Sequence, residues 1–287
     1  MDFKNSAELL SLCEENEIPI SEVMKMREMT EGGLSEILLR QKMKRVIDIM
    51  ERGTHEPLVS PQKSIGGLIG GEAKRAAEFA RESTPICGTT LSKALAYSMA
   101  VLEVNATMGL IVAAPTAGSS GVVPGALIAV KEEYHLSEEC LEKGLINASA
   151  IGYLLMRNAS VSGAEAGCQA EVGAASAMAA AALVEMLGGT VQMSLEAASI
   201  AISNLLGLVC DPIAGLVEAP CQSRNAIGVS NAFTCAQLAL SGVRHPIPFD
   251  EMAESMYKVG RSIPYELRET AMGGNAGTPT GCSLCSK

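Results

Sequence analysis

Aromatic side chains are nearly absent from this sequence. They make up 3% of its 287 residues, and there is no Trp. Aromatic and β-branched residues are typical of sheet cores, whereas a core of Ala, Gly, Met, Leu, Ile and Val favours closely packed helices. Because 48% of the residues are hydrophobic, the chain can bury a sizeable core as one large domain or two modest ones. A disordered chain and a disulfide-stapled miniprotein are excluded.

Helical patterns follow one another along most of the chain. We predict helices over residues 72–82, 90–107, 124–134, 137–157, 169–187, 194–208, 225–241 and 250–262. No segment shows the alternation of a convincing strand, and the best short candidates are residues 111–114 and 190–193. The sequence therefore predicts an all-α fold, a compact multi-helix domain in which Gly-rich loops form the functional site.

The N-terminal part of the chain differs from the rest in its dense mixed charge. We expect a helical arm over residues 1–55 that is more solvated than the later helices. The segment GTHEPLVSPQKSIGGLIGG contains Pro57, Pro61 and a run of glycines, which predicts a loop. The main helical domain is expected over residues 56–281, with a Cys-containing tail over residues 282–287.

The charge of the chain limits the partners that it can bind. The formal net charge is −10, from 22 Lys and Arg against 32 Asp and Glu. Nucleic acids and anionic membranes attract clustered positive charge, so we expect neither as a partner. The uncharged stretches are too short for a membrane span or are broken by Pro and Gly. The N-terminus shows no secretory signal, which predicts a cytoplasmic chain with reduced thiols.

Three of the nine cysteines lie in segments dense in Gly and Pro. Cys168 lies in SGAEAGCQAEVG, and Cys210 and Cys221 bracket CDPIAGLVEAPC. Loops allow three thiolates to converge on one point, and thiolates bind zinc and iron–sulfur clusters. A helix beginning after Cys168 would favour its thiolate form. The spacing matches no standard zinc motif, so the residues alone leave a metal site and buried inert thiols both open.

The C-terminal sequence GGNAGTPTGCSLCSK carries two further cysteines, Cys282 and Cys285. A CxxC pair can be redox-active or can bind a metal. No βαβ pattern surrounds it, which argues against a thioredoxin-like motif. The tail either folds back onto a site or is a frayed end.

The segment APTAGSSGVVPG, residues 114–125, combines glycines and hydroxyl side chains before a predicted helix. Backbone N–H groups in such a loop suit a carboxylate or a phosphate. No GK[ST] sequence comes after it, so the segment is not a nucleotide-binding P-loop. Thr116, Ser119 and Ser120 are its candidate polar contacts.

Three residues outside that loop are candidates for chemistry. Lys93 and Asn105 share one predicted helix, but their twelve-residue spacing offsets them by about a third of a turn, so they need not face one site. Lys93 is either a Schiff-base lysine for pyridoxal phosphate or a solvated charge. His55 lies in the Gly/Pro-rich segment and is a candidate base. The sequence shows no recognisable Ser–His–Asp or Cys–His arrangement.

Five motifs taken together resemble one known family. They are SKALAYSMAVLEVNATMG, APTAGSSGVVPG, GAEAGCQAEVG, CDPIAGLVEAPCQSRNAIG and the closing GGNAGTPTG. The sequence closely resembles the α chain of bacterial iron–sulfur L-serine dehydratase over nearly its whole length. The likeness is strongest over residues 66–281.

The resemblance implies a [4Fe–4S] cluster held by Cys168, Cys210 and Cys221. One iron would lack a permanent Cys ligand, and in single-chain relatives a C-terminal Cys caps it. Cys282 or Cys285 would take that role here, although the tail does not end on a Cys. The family's two-chain form implies a separate β chain as partner, in a heterodimer or larger assembly.

The resemblance also implies the reaction, which belongs to amino-acid degradation and gluconeogenesis. An open iron would bind the β-hydroxyl of L-serine as a Lewis acid, and a base would take the Cα proton. Pyruvate and ammonia result, without pyridoxal phosphate. The loop from Thr116 to Gly121, with Ser119, Ser120 and Asn105, would hold the substrate carboxylate. His55 and Lys93 are the candidate bases.

Three other interpretations of the sequence remain open. A cysteine desulfidase with a related helical domain would use the same kind of cluster on a thiol leaving group. A structural or regulatory helical subunit would carry the same cysteines as buried, inert residues. A pyridoxal-dependent lyase would depend on Lys93.

Overall fold

The computed structural model describes residues 1–284, and their secondary structure is helical. Thirteen α-helices lie in this range: α1 (Ser6–Asn16), α2 (Ile20–Thr30), α3 (Glu36–Val59), α4 (Glu72–Glu82), α5 (Gly88–Ala106), α6 (Val122–Glu133), α7 (Glu138–Asn158), α8 (Gly163–Ala166), α9 (Ala174–Met186), α10 (Val191–Asn204), α11 (Cys221–Leu240), α12 (Phe249–Ser262) and α13 (Pro279–Leu284). A π-helical turn over Gln169–Gly173 leads into α9. Short 3₁₀ turns lie at Ile213–Gly215 and Tyr265–Leu267. The all-α prediction is confirmed.

Helix α9 is the centre of the core. Every residue of its sequence AASAMAAAALVEM is buried except Glu185. Helices α6, α7, α10 and α11 pack around it. Small Ala side chains allow these neighbours to approach closely, and glycines of α7 face its Met side chains: a Cβ at Gly144 would lie 2.6 Å from Sδ of Met186. Closely packed small side chains thus fill the core in place of aromatic rings.

The contact between α5 and α6 places the loop that precedes α6. Gly125 lies against the backbone of α5, and a Cβ there would lie 2.8 Å from the N of Ser98. At Gly121 a Cβ would overlap the O of Ser98. No larger side chain fits at either position without a shift of the backbone. The segment 114–121 is therefore held directly against α5.

The N-terminal helices pack into the same core as the rest of the chain. Phe3, Leu9 and Ile20 are fully buried in it. The backbone N and the hydroxyl of Ser6 donate to the carboxylate of Asp250 at the start of α12, at 2.8–3.0 Å. Helix α3 continues across the expected boundary between residues 55 and 56, so no break in secondary structure marks that division.

The predicted helices from residue 72 onward are all present, with bounds shifted by a few residues. Both strand candidates are wrong. Residues 111–114 form an extended loop with no strand beside it, and Thr190 caps α10 by accepting from the N of Met193 at 3.2 Å. Within the described residues, the one β-bridge is isolated and joins Cys210 to Arg268.

The loop predicted around Pro57 is also wrong in part. Residues 53–59 complete α3, and Pro57 lies buried in its last turn. A proline there loses one backbone hydrogen bond, but α3 packs along α5 and continues to Val59. The loop itself begins at Ser60 and continues to Gly71.

Among residues 1–284, no helix is long and apolar enough to cross a membrane. The uncharged stretch 109–130 shows why. It divides into an irregular loop and most of α6. Helix α6 has only 12 residues, against about 20 for a span.

Candidate active site

The two cysteine-bearing segments and the loop before α6 meet at one cavity of about 250 Å³. Cys168, Cys210 and Cys221 all line it, and all three are buried. Thr116 and Glu171 complete its polar lining together with Glu269. The structure therefore brings together three cysteines that lie on separate segments of the sequence.

Cys168 is placed by the turn that leads into α9. Gly167 before it has φ +76, and a Cβ there would lie 2.7 Å from the O of Leu208. Gln169 after it donates its backbone N to the same carbonyl at 2.9 Å. The Gln169 side chain donates to the O of Met256 and accepts from the N of Gly207, both at 2.9 Å. Cys168 is thus fixed from both sides.

Cys210 lies in the isolated bridge with the C-terminal segment. Its backbone N donates to the O of Leu267 at 2.8 Å, and its O accepts from the N of Glu269 at 2.7 Å. Cys221 is the first residue of α11 and follows a cis Ala219–Pro220 peptide bond. The three thiols thus depend on three elements: the turn before α9, a bridged loop and a helix start.

The thiols of Cys168 and Cys210 lie within 4.8 Å of each other. The Cys210 thiol donates to Cys168, which lowers the pKa of Cys168, and the guanidinium of Arg224 lowers it further. The same contact and burial raise the pKa of Cys210. Burial raises the pKa of Cys221 to about 12. Among the three thiols of the cavity, Cys168 is the one whose pKa is lowered.

Glu171 lies beside this pair. Its carboxylate and the sulfurs of Cys168 and Cys210 lie within 4.8 Å of one another, a geometry that could hold a metal ion. The Oγ1 of Thr116 donates to its Oε1 at 2.7 Å, and the Cys210 thiol lies 3.8 Å from its Oε2. Burial raises the pKa of this carboxyl, against the effect of the Thr116 hydrogen bond.

The loop predicted to bind a carboxylate is only partly exposed to the cavity. Thr116 lines it, as do the next two residues of the loop. The Ser119 and Ser120 side chains are fully buried and donate to the carbonyls of Ala114 and Ala117, at 3.3 and 2.8 Å. These two hydroxyls shape the loop. Asn105 does not line the cavity.

His55 and Lys93 both lie beside the carboxylate of Glu132, away from the three cysteines. Nε2 of His55 lies 2.9 Å from Oε1 of Glu132, and Lys93 lies 3.6 Å from the same carboxylate and 3.1 Å from Glu133. The hydroxyl of Tyr97 donates to Glu132 at 2.7 Å. His55 lines a different cavity, beside α3 and the end of α5. The structure does not bring either candidate base to the cysteine cavity.

The tail cysteines are only partly described. Cys282 is exposed, its Sγ lies 3.5 Å from the O of Ala276, and it does not line the cavity. Cys285 lies outside the described residues. The expected capping role therefore stays a prediction.

The sequence patterns did not identify three residues near the cysteines: Glu171, Arg224 and Glu269. Two of them stand three residues after a candidate cysteine, in C-x-x-E and C-x-x-R patterns. In a helix that spacing places two side chains on one face. The spacing could have pointed to Glu171 and Arg224, but no local signal points to Glu269.

The chain is similar to known proteins over nearly its whole length. Residues 15–276 match the family described as serine dehydratase alpha chain. The chain is 48% identical to the L-serine dehydratase alpha chain of Peptoniphilus asaccharolyticus, covering 97% of this chain and 96% of that protein. It is 46% identical to the probable alpha chain of Bacillus subtilis, covering 99% and 95%.

A longer relative is matched over only part of its length. The L-serine dehydratase of Helicobacter pylori is 34% identical, with 96% of this chain covering 62% of that protein. The likeness thus includes both separate alpha chains and longer single chains. The matched family and the nearly full-length likeness lead to one conclusion: the chain belongs to the serine dehydratase alpha chain family.

Proposed function

We propose that this chain is the catalytic chain of an L-serine dehydratase, a lyase that converts L-serine to pyruvate and ammonia. The observation that carries the proposal is the convergence of Cys168, Cys210 and Cys221 on one cavity that Thr116 also lines. Membership of the family and the names of the relatives support the same reaction. Inert cysteines of a structural subunit need not share a cavity with two carboxylates, those of Glu171 and Glu269.

The donor set fits an iron–sulfur cluster. Thiolates are the ligands that such clusters prefer, and these three cysteines are between 2% and 7% exposed. Cys168, Cys210 and Cys221 would hold a [4Fe–4S] cluster and leave one iron open. When bound, the cluster would supply a Lewis acid for the β-hydroxyl of serine. A pyridoxal reaction gains no support from Lys93, which is paired with Glu132 and Glu133.

The residues of the chain position the substrate and handle its proton. Thr116 and the backbone beside Gly118 form the cavity wall that receives the substrate carboxylate. Gly118 leaves this wall open, because a Cβ there would lie 3.1 Å from Oε1 of Glu171. Glu171 is the carboxylate that exchanges the Cα proton, since it reaches the cavity beside Thr116.

The reaction balances without an oxidant or a second substrate. Loss of the Cα proton and of the β-hydroxyl releases one water and forms aminoacrylate. Aminoacrylate tautomerises to an imine, and one water hydrolyses the imine to pyruvate and ammonia. The cysteine wall of the cavity is almost fully buried, which keeps water away from that side during the first step.

A partner chain and a compartment belong to the proposal. The relatives named alpha chain imply a separate beta chain, and we expect a heterodimer or a larger assembly. The described residues contain eight free cysteines and no disulfide. Reduced thiols suit the reducing cytoplasm.

The test is to measure iron and acid-labile sulfide after anaerobic purification with the co-expressed β chain and reconstitution. We expect about four of each per chain, and loss of both in Cys168→Ala. The matched control is Cys235→Ala, because Cys235 is equally buried but lies in α11 outside the cavity. Absence of iron from the wild type would contradict the proposal.

Turnover of L-serine and L-cysteine should then be compared on the same preparation. Faster release of pyruvate from L-serine is expected for a dehydratase. Faster turnover of L-cysteine would instead identify a desulfidase. Co-purification of the β chain with this chain tests the proposed partner.

A further inference from the structure

One largely buried arginine connects all three cysteine-bearing segments. Arg224 stands one helical turn after Cys221 in α11. Its Nη1 donates to the sulfur of Cys168 at 3.5 Å and to the O of Val209 at 2.8 Å. Its Nη2 lies 2.6 Å from Oδ1 of Asp211. Val209 and Asp211 are the two neighbours of Cys210, so one guanidinium connects the turn of Cys168, the loop of Cys210 and the helix of Cys221.

The guanidinium is held in place from its far side. The Arg224 side chain is 13% exposed and that of Asp211 is 2% exposed. Asp211 also accepts from the backbone N and the Nδ2 of Asn275, at 2.6 and 2.9 Å. A buried ion pair with further hydrogen bonds fixes the direction of the guanidinium more firmly than an exposed pair does.

We propose that Arg224 is a positioning residue for the iron–sulfur site. It holds the three cysteine-bearing segments in fixed positions relative to one another and donates an N–H to the sulfur of Cys168. The inference rests on the proposed function, because it assumes that these cysteines hold the cluster. A lysine could replace the charge, but its single ammonium lacks the planar set of donors that reaches a sulfur, a carbonyl and a carboxylate together.

Loss of this arginine should have two measurable effects. Loss of groups that orient metal ligands typically weakens metal binding 10- to 100-fold. Hydrogen bonds to the sulfurs also tune the reduction potential of a cluster. Removal of a cationic N–H from Cys168 should make the cluster harder to reduce, because the positive charge stabilises the added electron.

The experiment compares Arg224→Gln and Arg224→Lys with wild type and with the control Arg261→Gln, since Arg261 is exposed on α12. Each protein is reconstituted anaerobically with the β chain. The readouts are iron and sulfide content, the rate at which a chelator removes the cluster absorbance, and the midpoint of a reductive titration. We expect Arg224→Gln to lose its cluster 10- to 100-fold faster and to have a lower midpoint potential.

The lysine variant keeps the positive charge and lacks the planar guanidinium, so it distinguishes the effect of charge from that of positioning. We expect it to lose its cluster nearly as fast as Arg224→Gln, because it cannot hold the three segments together. Full rescue by lysine would overturn the positioning role. Equal cluster loss and equal potentials in wild type and Arg224→Gln would overturn the inference while the proposed function stands.

Two further measurements keep the test decisive. Thermal unfolding of the apo proteins shows whether a variant folds. If Arg224→Gln does not fold, Asp211→Asn is tested in its place. That change weakens the ion pair that holds the guanidinium and leaves Arg224 in the chain. An unchanged rate of cluster loss in a folded Asp211→Asn protein then overturns the inference. A wild-type protein that binds no cluster refutes the proposed function instead.

Discussion

At the scale of single residues, the carboxylate of Glu171 has contacts that make it the group we expect to exchange the substrate proton. It lines the cavity between Thr116 and the Cys210 thiol. We expect Glu171→Gln to lower kcat by about 10²- to 10⁴-fold, the usual contribution of a general acid or base. Iron content should stay at the wild-type value. Pyruvate formation and iron content are measured on the same sample.

The control for this prediction is Glu165→Gln on α8, where the side chain is exposed and does not line the cavity. That variant should retain wild-type turnover. Loss of iron together with turnover in Glu171→Gln would show that the carboxylate is a metal ligand, since it lies within 4.8 Å of two cysteine sulfurs. The proposed proton exchange would then need another residue.

At the scale of helices, the contact between α5 and α6 depends on a glycine. A Cβ at Gly125 would lie within 3.0 Å of the Ser98 backbone and of the O of Ala94. We expect Gly125→Ala to lower the free energy of unfolding by about 1–3 kcal/mol, because the helices must move apart. The urea midpoint measures the effect.

The matched control for the helix contact is Gly53→Ala in α3. Its added Cβ would meet only Cγ2 of Val101, at 3.6 Å, an ordinary contact. Alanine is the better helix former by about 1 kcal/mol, so this variant should be as stable as wild type or more stable. Equal destabilisation by both changes would contradict the packing argument.

Helix α3 is joined to α6 by a pair that depends on pH. The hydrogen bond from His55 to Glu132 raises the pKa of the His55 ring above its ordinary value of 6.5. Lys93 also faces that carboxylate, as does the hydroxyl of Tyr97. The folded state holds the proton more tightly, so this contribution to stability is fully present below pH 6.5 and is lost as pH rises through the raised pKa.

We therefore expect His55→Gln to destabilise the protein more at about pH 5.5 than at about pH 8.5. Because the ring is 45% exposed, solvent screens the pair, and the difference should stay below about 1 kcal/mol. Urea midpoints of wild type and variant at the two pH values measure it. The same loss at both pH values would show that the ring acts through packing against Tyr97 alone.

At the scale of the whole molecule, the helical pattern was predictable because small apolar residues recur at helical spacing. The start and end of α4 agree with the prediction at both residues. The end of α3 was not predictable, because a proline normally ends a helix, whereas Pro57 is buried in the last turn of a helix that packs along α5. The strand candidates failed for the same reason: a strand needs a partner, which a local pattern does not show.

The convergence of three cysteines on one cavity was predictable from the sequence, and the residues around them were not. The motifs named Cys168, Cys210 and Cys221, while their spacing left inert thiols open. Arg224 and Cys168 are 56 residues apart, and only the fold brings them together. His55 and Lys93 were predicted from side-chain chemistry alone, and both side chains instead pair with the carboxylate of Glu132. Tertiary contacts decide which polar residues reach a cavity.

The C-terminal segment borders the cysteine cavity. Glu269 lines the cavity, and Asn275 holds this segment to Asp211, 64 residues earlier in the chain. A Cβ at Gly274 would overlap that carboxylate, so the loop approaches it as closely as a glycine allows. The segment is thus attached directly beside Cys210.

We expect Asn275→Ala to loosen the whole segment, because it removes a hydrogen bond to a charged, buried carboxylate, a contact worth about 1.5–3 kcal/mol. Hydrogen exchange should become faster across residues 265–284 and stay unchanged in α9. Thr278→Ala is the control, since its hydroxyl bonds only to Asn275 and Gly281 within the segment. Unchanged exchange in Asn275→Ala would mean that the backbone contacts at Cys210 hold the segment by themselves.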